Sequence, residues 1–509
     1  LKPALVFIGF MGAGKSTALA AAREAGLETI EIDALMEEAF GKPIRVAFEE
    51  DGEAAFRERE AEVVGSLLEE ADGGAIALGG GSVLSERVRR ALGRHVVVWL
   101  QVSAEEAWRR IADSDRPLAR SAEDVARLLE ERLPFYEELA DAIVPAGDRG
   151  TLARAMPSLL ALPELPAGTK MLWAASVTGD YPVLVGPDLL GRGPWPLEGR
   201  RFCVTDRNVG ALYAERLAPL AATVEVEPGE SAKTMAEAER VLRELARAQM
   251  SREDHVVALG GGVVGDLAGF CAHVYQRGVA VIQVPTSLVA QVDSAYGGKT
   301  GVDLPEGKNY AGAYHLPAAV IADTSTLASL PAEELAAGFV EVLKTGLLAG
   351  GALWERVRSL DSLDPDAITD LVFACARYKC EVVAADERDA GPRAVLNLGH
   401  TVGHAIEAAS GYRRYRHGEA VGLGLLASLR LSDVEELRSE VESILRRHGL
   451  PVALDPAIDL ELTLAALRRD KKRTAAGVGF VLLSRPGEPR YGELVEDGKV
   501  RAAVEELYE

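Results

Sequence analysis

A chain of 509 residues is several times longer than one hydrophobic core sustains, so roughly three folding units are expected. Its 48% hydrophobic and 26% charged residues, with a mean hydropathy of +0.05, exclude a disordered or fibrous protein. The formal charge of −22 excludes general attraction to nucleic acid or anionic membrane, so an anionic substrate needs a local cluster of cations.

In chain order, the first apolar run is Leu5-Val-Phe-Ile-Gly-Phe-Met11. It follows Lys2 in the manner of a signal peptide. It is short, however, and enters a glycine-lysine loop with no small-residue cleavage site, so it reads as a buried strand. No run of roughly 18 apolar residues occurs, so no membrane span is expected. Up to about residue 160, strands at 4–9, 75–78 and 96–102 alternate with helices at 15–25, 53–70 and 121–140, the pattern of a parallel α/β sheet. Pro163-Glu-Leu-Pro166-Ala-Gly168 then marks a boundary. The expected division is a first domain at 1–162, a linker at 163–172 and a second α/β domain at 173–335. That second domain has strands at 201–205, 223–226, 255–259 and 279–284 and a helix at 236–249. Residues 336–509 read as mainly helical, with a late apolar segment at 479–483. Cys203, Cys271, Cys375 and Cys380 form no CxxC pair, which points to a reduced, cytoplasmic compartment.

Gly9-Phe-Met-Gly12-Ala-Gly14-Lys15-Ser16 is a complete GxxxxGK[ST] loop between an expected strand and helix. Backbone N–H groups around Gly12, Gly14 and Thr17 suit phosphates, Lys15 suits the β/γ oxygens, and the Ser16 hydroxyl suits Mg²⁺. An ATP or GTP site follows. The acceptor does not follow from the loop.

Further features occur in order: Asp33 after the second strand, Gly52-Glu-Ala-Ala-Phe-Arg57-Glu-Arg-Glu60, Gly79-Gly80-Gly81, Arg116-Pro-Leu, and Arg132-Leu-Pro-Phe-Tyr136. Together, over 4–160, they resemble shikimate kinase. Taken singly, Arg57 and Arg132 read as solvated helix-surface cations. The resemblance implies a P-loop kinase sheet in which ATP with Mg²⁺ phosphorylates shikimate. Arg57 and Arg132 then grip the carboxylate with their guanidinium forks. Asp33 takes the proton from the attacking hydroxyl, and Gly79, Gly80 and Gly81 let backbone approach the ring. Arg116, in a lid-like stretch, stabilises the transferring phosphoryl group, and Arg110 stacks on adenine. The family usually has Asp-x-Asp where this chain has Glu31-Ile-Asp33. Glu31 keeps the charge that holds Mg²⁺ through water but is one methylene longer.

His255-Val-Val-Ala-Leu-Gly260-Gly261-Gly262-Val263-Val-Gly265-Asp266 contains GxGxxG after a strand, without the acidic residue expected about 20 positions on. His400-Thr-Val-Gly-His404 sets two histidines at i, i+4, a helical metal pair by spacing alone. The ordered motifs GGGVVGDLAGF, PTSLVAQVDSAYGGKTGV, KNYAGAY, GFVEVLKTG, LNLGHTVGHAIE and HGEAV, spread over about 175–505, resemble 3-dehydroquinate synthase. That resemblance implies an α/β dinucleotide-binding domain followed by a mainly helical metal domain. It assigns Glu341, His400 and His417 to zinc (or cobalt), an open catalytic set, and leaves His404 to the substrate phosphate.

The same resemblance assigns Asp206, Glu230 and Lys233 to the adenosine ribose of NAD⁺. Gly261, Gly262, Val263 and Asp266 go to its phosphates and nicotinamide side, and Thr286 and Ser287 to further contacts. Lys379 and Arg393 take the substrate carboxylate. Lys299, Asn309, Asn397, His404 and one of Lys471 and Lys472 surround the phosphate, and Lys308 is a further substrate-binding cation. Asp293 and Lys344 contact the hydroxyls near the metal, and Arg277 resembles a residue that reaches a neighbouring subunit's site, which implies a homodimer. The implied reaction oxidises a linear sugar acid phosphate with NAD⁺, eliminates phosphate, returns the hydride and closes a carbocycle. Tyr296, His315 in Ala313-Tyr-His315-Leu-Pro317, and Asp389 depart from the family pattern without removing a ligand. Alternatives are another sugar-phosphate cyclase, a polyol dehydrogenase, a kinase for a different small alcohol, or a regulatory protein of decayed enzyme halves. The last predicts lost ligands or a broken phosphate loop, and neither occurs.

Overall fold

Strands covered on both faces must be apolar along their whole length, and the Val/Ile/Leu runs of this chain become such strands. A computed structural model describes every residue except 113–120, 469–472, 475–476 and 509. The chain forms two compact units. The first comprises Leu1–Ala175, Asp180–Leu184 and Arg192–Pro196; the second comprises Ser176–Gly179, Val185–Gly191 and Leu197–Glu509.

The first unit begins with β1 (Leu5–Ile8), α1 (Lys15–Glu24), β2 (Thr29–Glu31), α2 (Ile32–Phe40), α3 (Ile44–Glu70) and β3 (Ala75–Ala77). It continues with α4 (Glu86–Leu92), β4 (Val96–Gln101), α5 (Ala104–Ile111), α6 (Ala122–Leu139), β5 (Ala142–Pro145) and α7 (Arg149–Ala161). Strands β2, β3, β1, β4 and β5 lie in that order, all parallel. Ser103 and Ser121 start α5 and α6 by accepting the Glu106 and Asp124 N–H groups at 3.2 and 3.1 Å. The helix expected at 53–70 reaches back to Ile44, because Gly52 at φ 80° kinks α3 instead of ending it. In the expected boundary 163–172, Leu162–Glu164 forms a 3-10 turn and Lys170 already begins β6 (Lys170–Ala175), which pairs in parallel with β5; β7 (Asp180–Gly186) follows.

The second unit opens with β8 (Arg201–Asp206), α8 (Arg207–Tyr213), β9 (Ala222–Val226), α9 (Met235–Arg247), β10 (His255–Gly260), α10 (Gly262–Val274) and β11 (Ala280–Pro285). An antiparallel hairpin, β12 (Lys299–Leu304) with β13 (Gly307–Tyr314), leads to β14 (Ala319–Asp323). Its parallel sheet runs β14-β11-β10-β8-β9. Buried Phe202, Val204, Val256, Ala258, Leu267 and Val281 form its core. Helices follow: α11 (Ala332–Ala349), α12 (Gly351–Arg358), α13 (Pro365–Ala385), α14 (His400–Ala409), α15 (His417–Leu431), α16 (Glu435–Arg447) and α17 (Leu460–Arg468). The late apolar segment is β15 (Gly477–Leu483), antiparallel to β16 (Pro489–Leu494). Every residue from Ala337 to Leu348 in α11 is buried, so Glu341 and Lys344 are carried into the interior by an otherwise apolar helix.

Candidate active sites

In the first unit the phosphate loop joins β1 to α1. Lys15 donates to the Gly9 and Phe10 carbonyls at 2.8 and 3.0 Å, curled over the loop it would leave on meeting a phosphate. Ser16 donates to Glu31 at 2.7 Å, so the hydroxyl and the longer carboxylate already touch at the position where Mg²⁺ is expected. Arg110 donates to the carbonyls of Gly12 and Ala146 at 2.9 and 3.1 Å, which sets its guanidinium beside the loop. Asp33 lies in the first turn of α2, two residues beyond Glu31.

Arg57 and Arg132 converge on the glycine triplet. The Arg57 guanidinium occupies the space a Cβ on Gly81 would need, 5.7 Å from the ring centres of both Phe48 and Phe56. Arg132, 3% exposed, donates to the Gly80 carbonyl at 3.2 Å and lies 5.6 Å from the Phe10 ring. The Tyr136 hydroxyl donates to the same carbonyl at 2.6 Å, and burial pushes its pKa up to about 12, so it stays a donor. The structure thus turns two cations that read as solvent-facing into a pair at one end of β3, Arg132 buried and Arg57 half-buried.

In the second unit, α11, α14 and α15 bring Glu341, His400 and His417 together, with one ligand atom from each within 4.8 Å of the others. Glu341 Oε1 lies 3.5 Å from both His400 Nε2 and His417 Nε2. Glu341 Oε1 is buried and faces both imidazoles, while Oε2 meets the buried Lys344 ammonium at 2.5 Å, so one carboxylate oxygen is left directed at the two histidines, as a metal ligand would be. The approach of α15 depends on Gly418, where a Cβ would collide with the Ala337 carbonyl of α11. His404 is exposed, its ring 5.3 Å from His400 and 5.8 Å from His417, beside the trio.

The family models match this geometry. Shikimate kinase matches residues 11–157, and the N-terminal and C-terminal parts of 3-dehydroquinate synthase match 223–337 and 338–473. The 3-dehydroquinate synthase of Symbiobacterium thermophilum is 42% identical over 350 residues, covering 64% of this chain and 98% of its own. The chain belongs to the 3-dehydroquinate synthase family. Ahead of the synthase it carries a shikimate kinase domain, so one polypeptide holds a phosphotransferase and a lyase of aromatic biosynthesis.

Two solved structures are similar over the synthase. ValA, the 2-epi-5-epi-valiolone synthase of Streptomyces hygroscopicus subsp. jinggangensis 5008 with NAD⁺ and Zn²⁺ bound, is 28% identical with a TM-score of 0.59; the match covers 64% of this chain and 96% of that one. A 2-deoxy-scyllo-inosose synthase complexed with carbaglucose-6-phosphate, NAD⁺ and Co²⁺ is 26% identical with a TM-score of 0.60, covering 66% and 99%.

Around the synthase trio, charges alternate. Lys344, buried on α11, lies 2.5 Å from Glu341, and Lys379 donates to Asp293 at 2.6 Å. Burial works to raise the Asp293 carboxyl, but Lys379 and Lys344 hold it at about 2. Burial also opposes charge on His417, yet Glu341 and Glu407 flank the ring and push it up to about 10. Arg393 is 2% exposed and donates to the Glu387 carbonyl at 2.5 Å.

On the nucleotide side, buried Lys233 lies 2.5 Å from Asp266, and Lys308 lies 3.7 Å from Glu230 and 3.5 Å from Glu407. The Thr286 N–H donates to the Gly260 carbonyl at 3.0 Å, which puts Thr286 and Ser287 beside Gly261 and Gly262; Val263 is in the first turn of α10. Asp206 caps α8, accepting the Asn208 and Val209 N–H groups at 2.9 and 3.0 Å. Lys299 lies 2.5 Å from Asp389, Asn309 N–H donates to Asp303 at 2.7 Å, and Asn397 donates to the Ala394 carbonyl at 3.1 Å. Arg277 is exposed on the turn after α10 at φ 71° and makes none of these contacts. Arg116, Lys471 and Lys472 lie outside the described residues.

The departures have structural reasons. Tyr296 is 1% exposed and donates to the Gln291 carbonyl at 2.6 Å, and His315 Nε2 meets the Val279 carbonyl at 2.9 Å. Two carboxylates were missed from the sequence. Glu60 is buried, accepts Ser82 at 2.7 Å and pairs with Arg57 at 2.7 Å. Glu407 is buried 3.5 Å from His417 Nδ1. Their signals were faint: Glu60 is i+3 from Arg57, and Glu407 i+3 from His404.

Proposed function

We propose that the two sites act through the residues gathered above, with the convergence of the buried Glu341 carboxylate and two histidines as the observation that carries the synthase reading. In the kinase, the loop N–H groups hold the nucleotide phosphates and Lys15 swings from its two carbonyls to their oxygens. Ser16 and Glu31 hold Mg²⁺, which when bound screens the triphosphate charge. Arg57 and Arg132 fix shikimate by its carboxylate, with Gly79, Gly80 and Gly81 beneath the ring, so that Asp33 faces the attacking hydroxyl and takes its proton. Arg110 contacts the base.

In the synthase, Glu341, His400 and His417 hold zinc or cobalt. The metal supplies Lewis-acid polarisation of a substrate hydroxyl, while NAD⁺ supplies a hydride acceptor that returns what it takes. NAD⁺ is gripped by Asp206, Glu230, Lys233, Asp266 and the Gly261–Gly262 turn. Lys379 and Arg393 hold the carboxylate of 3-deoxy-D-arabino-heptulosonate 7-phosphate. Lys299, Asn309, Asn397 and His404 hold its phosphate, and Asp293 with Lys344 orients the hydroxyls. Cations at both ends of an open-chain substrate bring the atoms that form the ring within reach. The carboxylate cations favour this substrate over cyclase substrates that lack the group. The resemblance of Arg277 to a residue that reaches a neighbouring subunit's site supports a homodimer formed by the synthase, and its side chain is exposed as that role needs. Four buried cysteines, none of them joined in a disulfide, support a cytoplasmic setting.

The test is a pair of variants assayed for both reactions. Lys15→Met abolishes ATP-dependent shikimate phosphorylation and spares phosphate release from the heptulosonate; His400→Ala does the reverse. Loss of both activities in either variant, or of neither, sinks the assignment.

A further inference from the structure

Between α13 and α14 the loop Asp386-Glu387-Arg388-Asp389 is tied at every residue. The Asp386 carboxylate accepts the N–H groups of Ala390, Gly391 and Arg393 at 2.9, 2.8 and 3.2 Å. The Arg388 carbonyl accepts the Tyr314 hydroxyl at 2.8 Å, and Asp389 takes Lys299 at 2.5 Å. Glu387 works at both ends. Its carbonyl accepts Arg393 Nη1 at 2.5 Å, while its buried carboxylate accepts the Thr178 N–H at 2.9 Å and the Thr178 hydroxyl at 2.6 Å, with a weaker contribution from the Ser176 hydroxyl of the same turn.

Thr178 stands 209 residues earlier, in the turn Ser176–Gly179 that joins β6 to β7 and packs with the second unit. A carboxylate with two donors from one residue is a strong, directional anchor. A loop carbonyl has no such anchor of its own, and here it inherits one through a single residue. Arg393 needs a fixed partner, because its Nε is buried without an acceptor and, among the described residues, its guanidinium otherwise donates only to the Gly297 carbonyl at 3.5 Å.

We propose that Thr178 is a positioning residue of the synthase: by clamping Glu387 it holds the carbonyl that aims Arg393, and thereby sets the affinity for the substrate carboxylate. The inference rests on the reading that Arg393 receives that carboxylate. Nothing in the sequence near Thr178 marks it, since the clamp exists only once the distant loop has folded against the turn.

The test compares Thr178→Val, Thr178→Ser and Arg393→Lys in the full chain, by steady-state kinetics on the heptulosonate phosphate, thermal melting and shikimate kinase activity as an internal control. Thr178→Val should raise KM about five- to tenfold, the loss of one charge-assisted hydrogen bond, with kcat and kinase activity unchanged and melting lowered by no more than about 4 °C. Thr178→Ser should restore KM, because the hydroxyl and the N–H both remain. If Arg393→Lys leaves KM unchanged, the carboxylate reading fails. If Arg393→Lys raises KM but Thr178→Val does not, or Thr178→Ser fails to rescue it, the clamp alone is overturned.

Discussion

At Glu60 a buried carboxylate meets an arginine it must orient as well as neutralise. Ser82 and Arg57 occupy its two oxygens, and Arg57 in turn fills the space above Gly81. Glu60→Gln keeps the shape but halves the attraction. We expect KM for shikimate to rise roughly tenfold with kcat within about threefold, read by steady-state kinetics, since one charge-assisted hydrogen bond is lost. His417 gives a second prediction, with its sign fixed by geometry. Its pKa is raised to about 10, so below that pH the metal-free protein carries the proton, and a metal must displace it. Burial keeps His400 neutral and its neighbours keep Glu341 ionised, so neither adds a proton to release. Apparent zinc affinity should therefore rise by about one decade per pH unit between pH 6 and 8. Calorimetry in buffers of different ionisation heat should count about one proton released. A pH-independent affinity would contradict this.

Among elements, α11 and α15 decide whether the metal ligands meet, and Gly418 decides how closely those helices approach. Gly418→Ala forces a methyl against the Ala337 carbonyl, an overpacking that costs about 1–3 kcal/mol. Metal affinity should fall at least about tenfold, measured by competition with a chromogenic chelator, while NAD⁺ affinity changes little. The sequence made these helices legible through their apolar runs, and the phosphate loop through its glycines. Spacing alone, however, pairs His400 with His404, and only the motif resemblance pointed past His404 to Glu341 and His417. The hairpin of β12 and β13 escaped notice because its second strand, Gly-Lys-Asn-Tyr-Ala-Gly-Ala-Tyr, buries no residue and is mostly small or amphipathic, with no continuous apolar face. Glu60, Glu407 and Glu387 escaped because a carboxylate that serves another side chain looks, in a sequence, like any surface acid.

For the whole molecule, two chemistries with different ions share one chain whose net charge repels their substrates. Each site must therefore concentrate its own cations, and each should fail alone. A zinc-selective chelator in excess Mg²⁺ should abolish phosphate release and leave shikimate phosphorylation within about twofold, because among the described residues the histidine-containing ligand clusters all lie in the synthase. Simultaneous loss of both reactions would contradict independent sites.

The alternation of short segments between residues 175 and 197 has a practical side. Scissors placed after Pro196, where the second unit's long continuous stretch begins, would discard the turn bearing Thr178 along with the kinase. Such a trimmed synthase should still fold its sheet and collect its metal, yet hold its acid substrate poorly. A cut before Lys170 should release a synthase with its grip intact, so the gene has a seam, and it lies upstream of where the contacts alone would draw it.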